Sequence, residues 1–179
     1  MTKRKPRSNT YYLSITAAMT AALCVMGPIA VPIGPVPISL LTFGLYLAAY
    51  LLGKRLATLS CAAYLLIGLA GMPVFTGFVG GFAKLLGPTG GYILGYLPLV
   101  LIAGSFIERF THRGLQFAGM ALGTLACYAL GTAWFCISMD SSLVVALGIC
   151  VLPFIPGDIA KMAVALKLGP SLKKRLRIE

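Results

Sequence analysis

Apolar residues in this chain run in blocks, and its charges stand between the blocks rather than alternating with them. The first block, Tyr11–Ala30, covers roughly 30 Å as a helix, one bilayer core. Four basic residues (Lys3, Arg4, Lys5, Arg7) precede it, and no small-x-small site closes it. It therefore reads as an uncleaved signal anchor. The stretch 31–37 carries Pro32, Pro35 and Pro37 and is expected to be a stiff, extended link. Two shorter helices are expected at Ile38–Leu52 and Leu56–Ala70, parted by Gly53-Lys54-Arg55. Longer ones follow at Gly91–Ile107 and Leu115–Ile137. Leu143–Phe154 is apolar but short, which fits a re-entrant or interfacial segment better than a span. The last helix is expected to start at Pro156 and run into a basic tail, since proline suits the first helical position. A single kinked helix from Leu143 to Leu168 is the competing reading.

Composition turns these blocks into a class. The chain is 59% hydrophobic and 11% charged, against about 25% charged in soluble domains. The expectation is an all-α integral membrane protein forming one domain over 1–179, with six transmembrane helices. Fifteen Lys and Arg face four acids, for a net charge of +11. The basic residues sit in short clusters between apolar spans, which excludes a nucleic-acid surface. With the N-terminus inside, thirteen of the fifteen fall on inner segments (residues 1–10, Lys54 and Arg55, Arg109 and Arg113, and the tail from Lys167). That is the positive-inside pattern, with both termini cytoplasmic.

Five cysteines lie in apolar spans without metal spacing and read as small hydrophobes. No G-x-x-x-x-G-K-[ST] occurs, so the chain shows no ATPase motif of its own. The segment 71–91 holds seven glycines and two prolines, yet it is apolar and aromatic. Irregular backbone at membrane depth is tolerated where it is buried in protein or lines a cavity. The loop therefore reads as an outer lid or pocket lining, with Phe75, Phe78 and Phe82 as apolar walls. Gly87, Gly91 and Gly95, four apart, let the following helix pack closely.

The sharpest chemical signal is Pro156-Gly157-Asp158-Ile159-Ala160-Lys161. Residues three apart share a helix face, so Asp158 and Lys161 can meet each other or one ligand. A charge at membrane depth costs about 3 kcal/mol on insertion scales and usually marks a site. A structural ion pair at a helix end is the alternative.

Three motifs, Gly71-Met-Pro-Val-Phe75, Gly87-Pro-Thr-Gly-Gly-Tyr92 and Pro153-Phe-Ile-Pro-Gly-Asp158-Ile-Ala-Lys161, resemble the BioY family. These are the biotin-specific S-components of energy-coupling factor (ECF) vitamin transporters. The resemblance implies six helices and an outward-facing biotin pocket in the cell membrane. It implies that Asp158, Lys161, Tyr92, Gly91, Phe75, Thr76, Gly77, Phe78 and Ser39 contact the vitamin. A carboxylate such as Asp158 suits the ureido N–H groups, and Lys161 could pair with the valerate carboxylate. No cofactor is implied. The implied partners are a transmembrane coupling subunit, docked on the small-residue face of the first helix at Ala18 and Ala22, and two cytoplasmic ATPases that use the ATP. One departure is Val36-Pro-Ile-Ser-Leu-Leu41, where the family often has glutamine at the last position. The same fold binding another vitamin, a membrane-embedded enzyme built on Asp158 and Lys161, and a structural membrane protein are the other readings weighed.

Overall fold

The structure is a computed structural model, and it describes residues 9–31 and 36–176. Helix α1 spans Asn9–Met26, and a minimal antiparallel ribbon follows, β1 (Ala30–Val31) with β2 (Ile38–Ser39). Then come α2 (Leu41–Leu69), a short α3 (Phe82–Leu86), α4 (Gly90–Arg109), α5 (Arg113–Met139), α6 (Leu143–Cys150) and α7 (Ile155–Leu176). The basic start, most of the proline link and Arg177 lie outside the described residues.

Helix α2 is two helices. Gly53 breaks it at φ 73°, ψ 175°, a region open almost only to glycine. The neighbours of the two limbs show how sharp the break is. Gly44 on the first limb packs against Leu23 and Met26, and Tyr64 on the second packs at Gly27. Both positions therefore lie at the C-terminal end of α1. Ser60, between the break and Tyr64, donates to the Thr16 carbonyl at 3.0 Å, further back along α1. A straight helix would separate residues 44 and 64 by roughly 30 Å. The chain instead folds back at Gly53, as its Gly-Lys-Arg sequence suggests. At the reversal the freed N–H of Lys54 donates to Glu108 Oε1 at 2.8 Å.

Between membrane helices, close packing replaces much of the hydrophobic drive. Helices α4 and α5 interlock through glycines from both sides. Gly91 lies against Trp134, Gly95 against Cys127, Gly123 against Leu99 and Gly119 against Phe106. A Cβ on Gly95 would come within 2.9 Å of Cys127 Sγ, so the pair closes only around glycine. Buried hydroxyls add register. Tyr50 donates to Gln116 Oε1 at 3.0 Å, and Tyr46 pairs with Thr124. These contacts bind the first limb of α2 antiparallel to α5.

Charge separates the two ends. Lys54, Arg55, Arg109, Arg113 and the last turn of α7 (Lys173, Lys174, Arg175) gather at one end, where Gly104 packs on Lys54 and Gly169 on Tyr50. The ribbon, the 71–89 loop and Asp140 occupy the other. Among the described residues α4 and α5 are each long and apolar enough to cross a membrane, and α2 is so only when its two limbs are counted as one. Helices α6 and α7, bent by 48°, make a fourth span if taken together. The bend answers to both sequence readings of 143–168. The segment is broken, yet the two pieces remain consecutive helices. The last helix begins at Ile155, one residue before the expected proline start.

Candidate functional site

Helix α7 opens with the N–H of Asp158 bonded to the Phe154 carbonyl at 2.8 Å. Pro156 in that first turn removes no needed donor. One turn on, Lys161 returns to the same face, and its Nζ meets Asp158 Oδ1 at 2.9 Å. The two side chains are 15% and 6% exposed, respectively. Each end of the pair is bound further. Asp158 Oδ2 accepts the hydroxyl of Tyr128. Lys161 Nζ also donates to the Ser39 carbonyl at 2.7 Å and to Thr42 Oγ1 at 3.1 Å. An ammonium has three donors, so these partners use all of them. Truncating either member would leave the other charge buried and unpaired, the costly way to break such a pair.

Above the pair is a cavity with about 450 Å³ of empty space, part of it open to solvent. The ribbon region supplies Val36, Pro37 and Ser39, and the first limb of α2 supplies Thr42. Helix α4 supplies Tyr92, Tyr96 and Leu99, and α5 supplies Thr124, Cys127 and Tyr128. Cys150 and Phe154 close the side toward α6. The lining is thus mainly aromatic and aliphatic, with one ion pair and a few hydroxyls that can fix orientation, as in small-molecule sites generally.

The structure brings Asp158, Lys161, Tyr92 and Ser39 together in this lining. Ser39 faces it with its carbonyl, because its hydroxyl accepts the Leu41 N–H at 3.0 Å and starts α2. Leu41, the departure from the family pattern, is buried in the core. The five loop and seam residues expected as contacts lie elsewhere. Phe75 is buried beneath the loop, edge-on to Tyr64 at 5.7 Å and over Gly68. Thr76 and Gly77 lie in the loop turn, and Phe78 is 71% exposed at φ 58°. Gly91 is buried in the α4–α5 seam against Trp134. An apolar loop aromatic can serve the core as readily as a cavity, and Phe75 does so. Phe82, the third expected wall, is exposed. Ala18 and Ala22 are exposed on α1, beside a groove shared with Ile15, Leu51 and Leu52.

Tyr128, Thr42 and Thr124 were not foreseen. Tyr128 from α5 and Thr42 from α2 bond the pair, and Thr124 lines the cavity beside them, so no spacing within the last helix could reveal them.

A bundle of closely packed apolar helices around a half-enclosed cavity with a single buried ion pair defines a multi-pass membrane protein built to hold a small molecule. The comparisons give the family. The model of the BioY family matches residues 1–178. The chain is 37% identical to the biotin transporter BioY of Thermotoga maritima, over 89% of this chain and 95% of that one. It is 38% identical to a probable biotin transporter BioY of Pyrococcus horikoshii, over 90% and 95%. Its fold matches the crystal structure of the S-component for biotin from an ECF-type ABC transporter at a TM-score of 0.86. That match is 30% identical and covers 97% of this chain and all of the other. This chain belongs to the BioY family.

Proposed function

We propose that this chain captures biotin and serves its uptake across the cell membrane as the substrate-binding subunit of an ECF transporter. One observation carries the reading: full-length membership in a family whose members are named biotin transporters, with the same fold as a biotin S-component. The cavity is compatible in chemistry. It offers apolar walls for fused rings and an acid–base pair for a polar end.

The geometry supports a different use of that pair from one residue at each end of the ligand. Asp158 Oδ1 and Lys161 Nζ are 2.9 Å apart. The ureido group and the carboxylate of biotin are separated by the fused rings and the whole valeryl chain. We therefore read Asp158 and Lys161 as meeting one end of the ligand rather than its two ends. The ureido ring suits them, presenting an N–H beside a carbonyl, donor to Asp158 and acceptor from Lys161. A carboxylate placed there would set a second negative charge against Asp158, which is unfavourable at low dielectric. The valerate then points toward the open side of the cavity. Because Lys161 already uses its three donors, the ligand carbonyl replaces one acceptor. The Ser39 carbonyl, on a ribbon of two paired residues, is the one most easily exchanged.

Tyr92 closes the apolar side of the chamber. The loop residues Phe75, Thr76, Gly77 and Phe78, with Gly91, would join the ligand only if the loop moved over it. The chain crosses the membrane six times with its basic end and both termini in the cytoplasm. Transport needs a transmembrane coupling subunit and two ATPases, which use the ATP. No cofactor takes part. The exposed Ala18–Ala22 face of α1 receives the coupling subunit, where small residues let helices approach closely.

The test is biotin uptake by cells expressing this chain together with its coupling and ATPase subunits. Uptake is expected for the native chain. Ala22→Leu should abolish it while leaving biotin binding intact. Normal uptake and co-purification with Ala22→Leu would remove the docking face from the account. Absence of biotin uptake by the native assembly would remove the function.

A further inference from the structure

Tyr128 stands where two spaces meet. On one side is the cavity above the ion pair. On the other is an apolar recess between α5 and the α6–α7 bend, with about 530 Å³ of empty space, part of it open to the surroundings, and walled by Leu125, Val151, Ile155, Ile159 and Met162. Tyr128, Thr124 and Asp158 line both spaces. The buried residue Asp158 thus borders the recess as well as the cavity, with Tyr128 beside it on both sides. The recess is rimmed by exposed Leu125 and Ile159, so in the bilayer its far side is hydrocarbon.

The two carboxylate oxygens of Asp158 are divided between two donors. Oδ1 takes Lys161 and Oδ2 takes the Tyr128 hydroxyl. Rotation about the terminal carboxylate bond is soft, so Lys161 alone would not fix the plane of the group. The recess side offers no other donor to Oδ2. The adjacent Thr124 hydroxyl is committed to the Met120 carbonyl at 2.8 Å and to Tyr46. We infer that Tyr128 is a positioning residue for ligand capture. It holds Oδ2 from behind, so that the carboxylate faces the cavity beside Lys161 with a free lone pair for a ligand N–H. This rests on the reading that a donor on the ligand meets Asp158.

The test is a double-mutant cycle in detergent-purified protein, with calorimetric titration of biotin into the native chain, Tyr128→Phe, Asp158→Asn and the double variant. Phenylalanine keeps the ring as a wall and removes only the hydroxyl. Tyr128→Phe should weaken biotin by about tenfold when Asp158 is present, the lower end for a hydrogen bond to a charged group. In the Asp158→Asn background it should cost less than about twofold, since interacting residues are non-additive. Equal factors in both backgrounds would overturn the positioning role and leave Tyr128 a packing residue. A second readout needs no ligand. The chain has two aspartates, Asp140 and Asp158, so isotope-labelled aspartate gives two carboxylate stretching bands in the infrared. One of them should shift in ligand-free Tyr128→Phe. A native chain that binds no biotin would sink the functional reading, and the infrared band then decides the placement of the carboxylate by itself. Unmoved bands overturn it.

Discussion

Two carboxylates at opposite ends of the bundle each lie close to a lysine, and they do different work. At the basic end Glu108 is exposed and accepts one bond, from the backbone N–H of Lys54 where the chain reverses at Gly53. At the other end Asp158 is buried, accepts two side-chain donors and shares a cavity with them. In the sequence both are single acids near basic residues. What separates them is the cost of desolvation. Glu108 keeps its water and adds a capping bond to a turn. Asp158 gives up its water, and an ionisable group kept at membrane depth is by default a candidate for a functional site. Burial and the number of partners, not the pairing itself, distinguish the site from the clip.

The comparison breaks most sharply at Lys161. Lys161→Ala should weaken biotin binding by about 2 kcal/mol or more, the loss of a buried charged hydrogen bond. The substitution should also lower the melting temperature, because Asp158 is left unpaired. An unchanged affinity in calorimetry would make the pair a structural one, like the turn.

The opposite end answers in stability alone. Gly53→Val forces a side chain into glycine-only backbone, at roughly 1–3 kcal/mol, and sets its Cβ against the Glu108 carboxylate. Melting of the detergent-solubilised variant should fall. The folded fraction should bind biotin as the native chain does, and a parallel loss of affinity would mean that the two ends are coupled.

Smaller still is Glu108→Gln, which keeps an acceptor for the Lys54 N–H and removes the charge. Its effect on melting should stay below about 1 kcal/mol, as for exposed charged contacts. Raising salt should narrow even that difference while leaving biotin affinity unmoved, since buried pairs are screened far less. A salt-sensitive affinity would place the Asp158–Lys161 pair in water.

The parts of this architecture that were legible in the sequence are those set by local spacing. The reversal at Gly53-Lys54-Arg55, the glycines that seat α4 and the Asp158–Lys161 face all follow from neighbours a turn apart. The partners of the pair do not. Tyr128 and Thr42 lie thirty and 119 residues away along the chain, and only helix packing brings them in. The loop aromatics misled for a related reason. Phe75 and Phe78 are three residues apart and alike in chemistry, yet one is 1% and the other 71% exposed. A positive φ at Gly77 and at Phe78 turns the chain between them and sends the two rings apart. Composition says that such a loop is apolar, but not which of its rings the core takes.

The most direct measurement is calorimetric titration of the purified chain with biotin, with thiamine and riboflavin as controls. Saturable binding of biotin alone, lost in Lys161→Ala, is the predicted result. A native protein that binds none of the three, or binds biotin equally well without Lys161, would contradict the account.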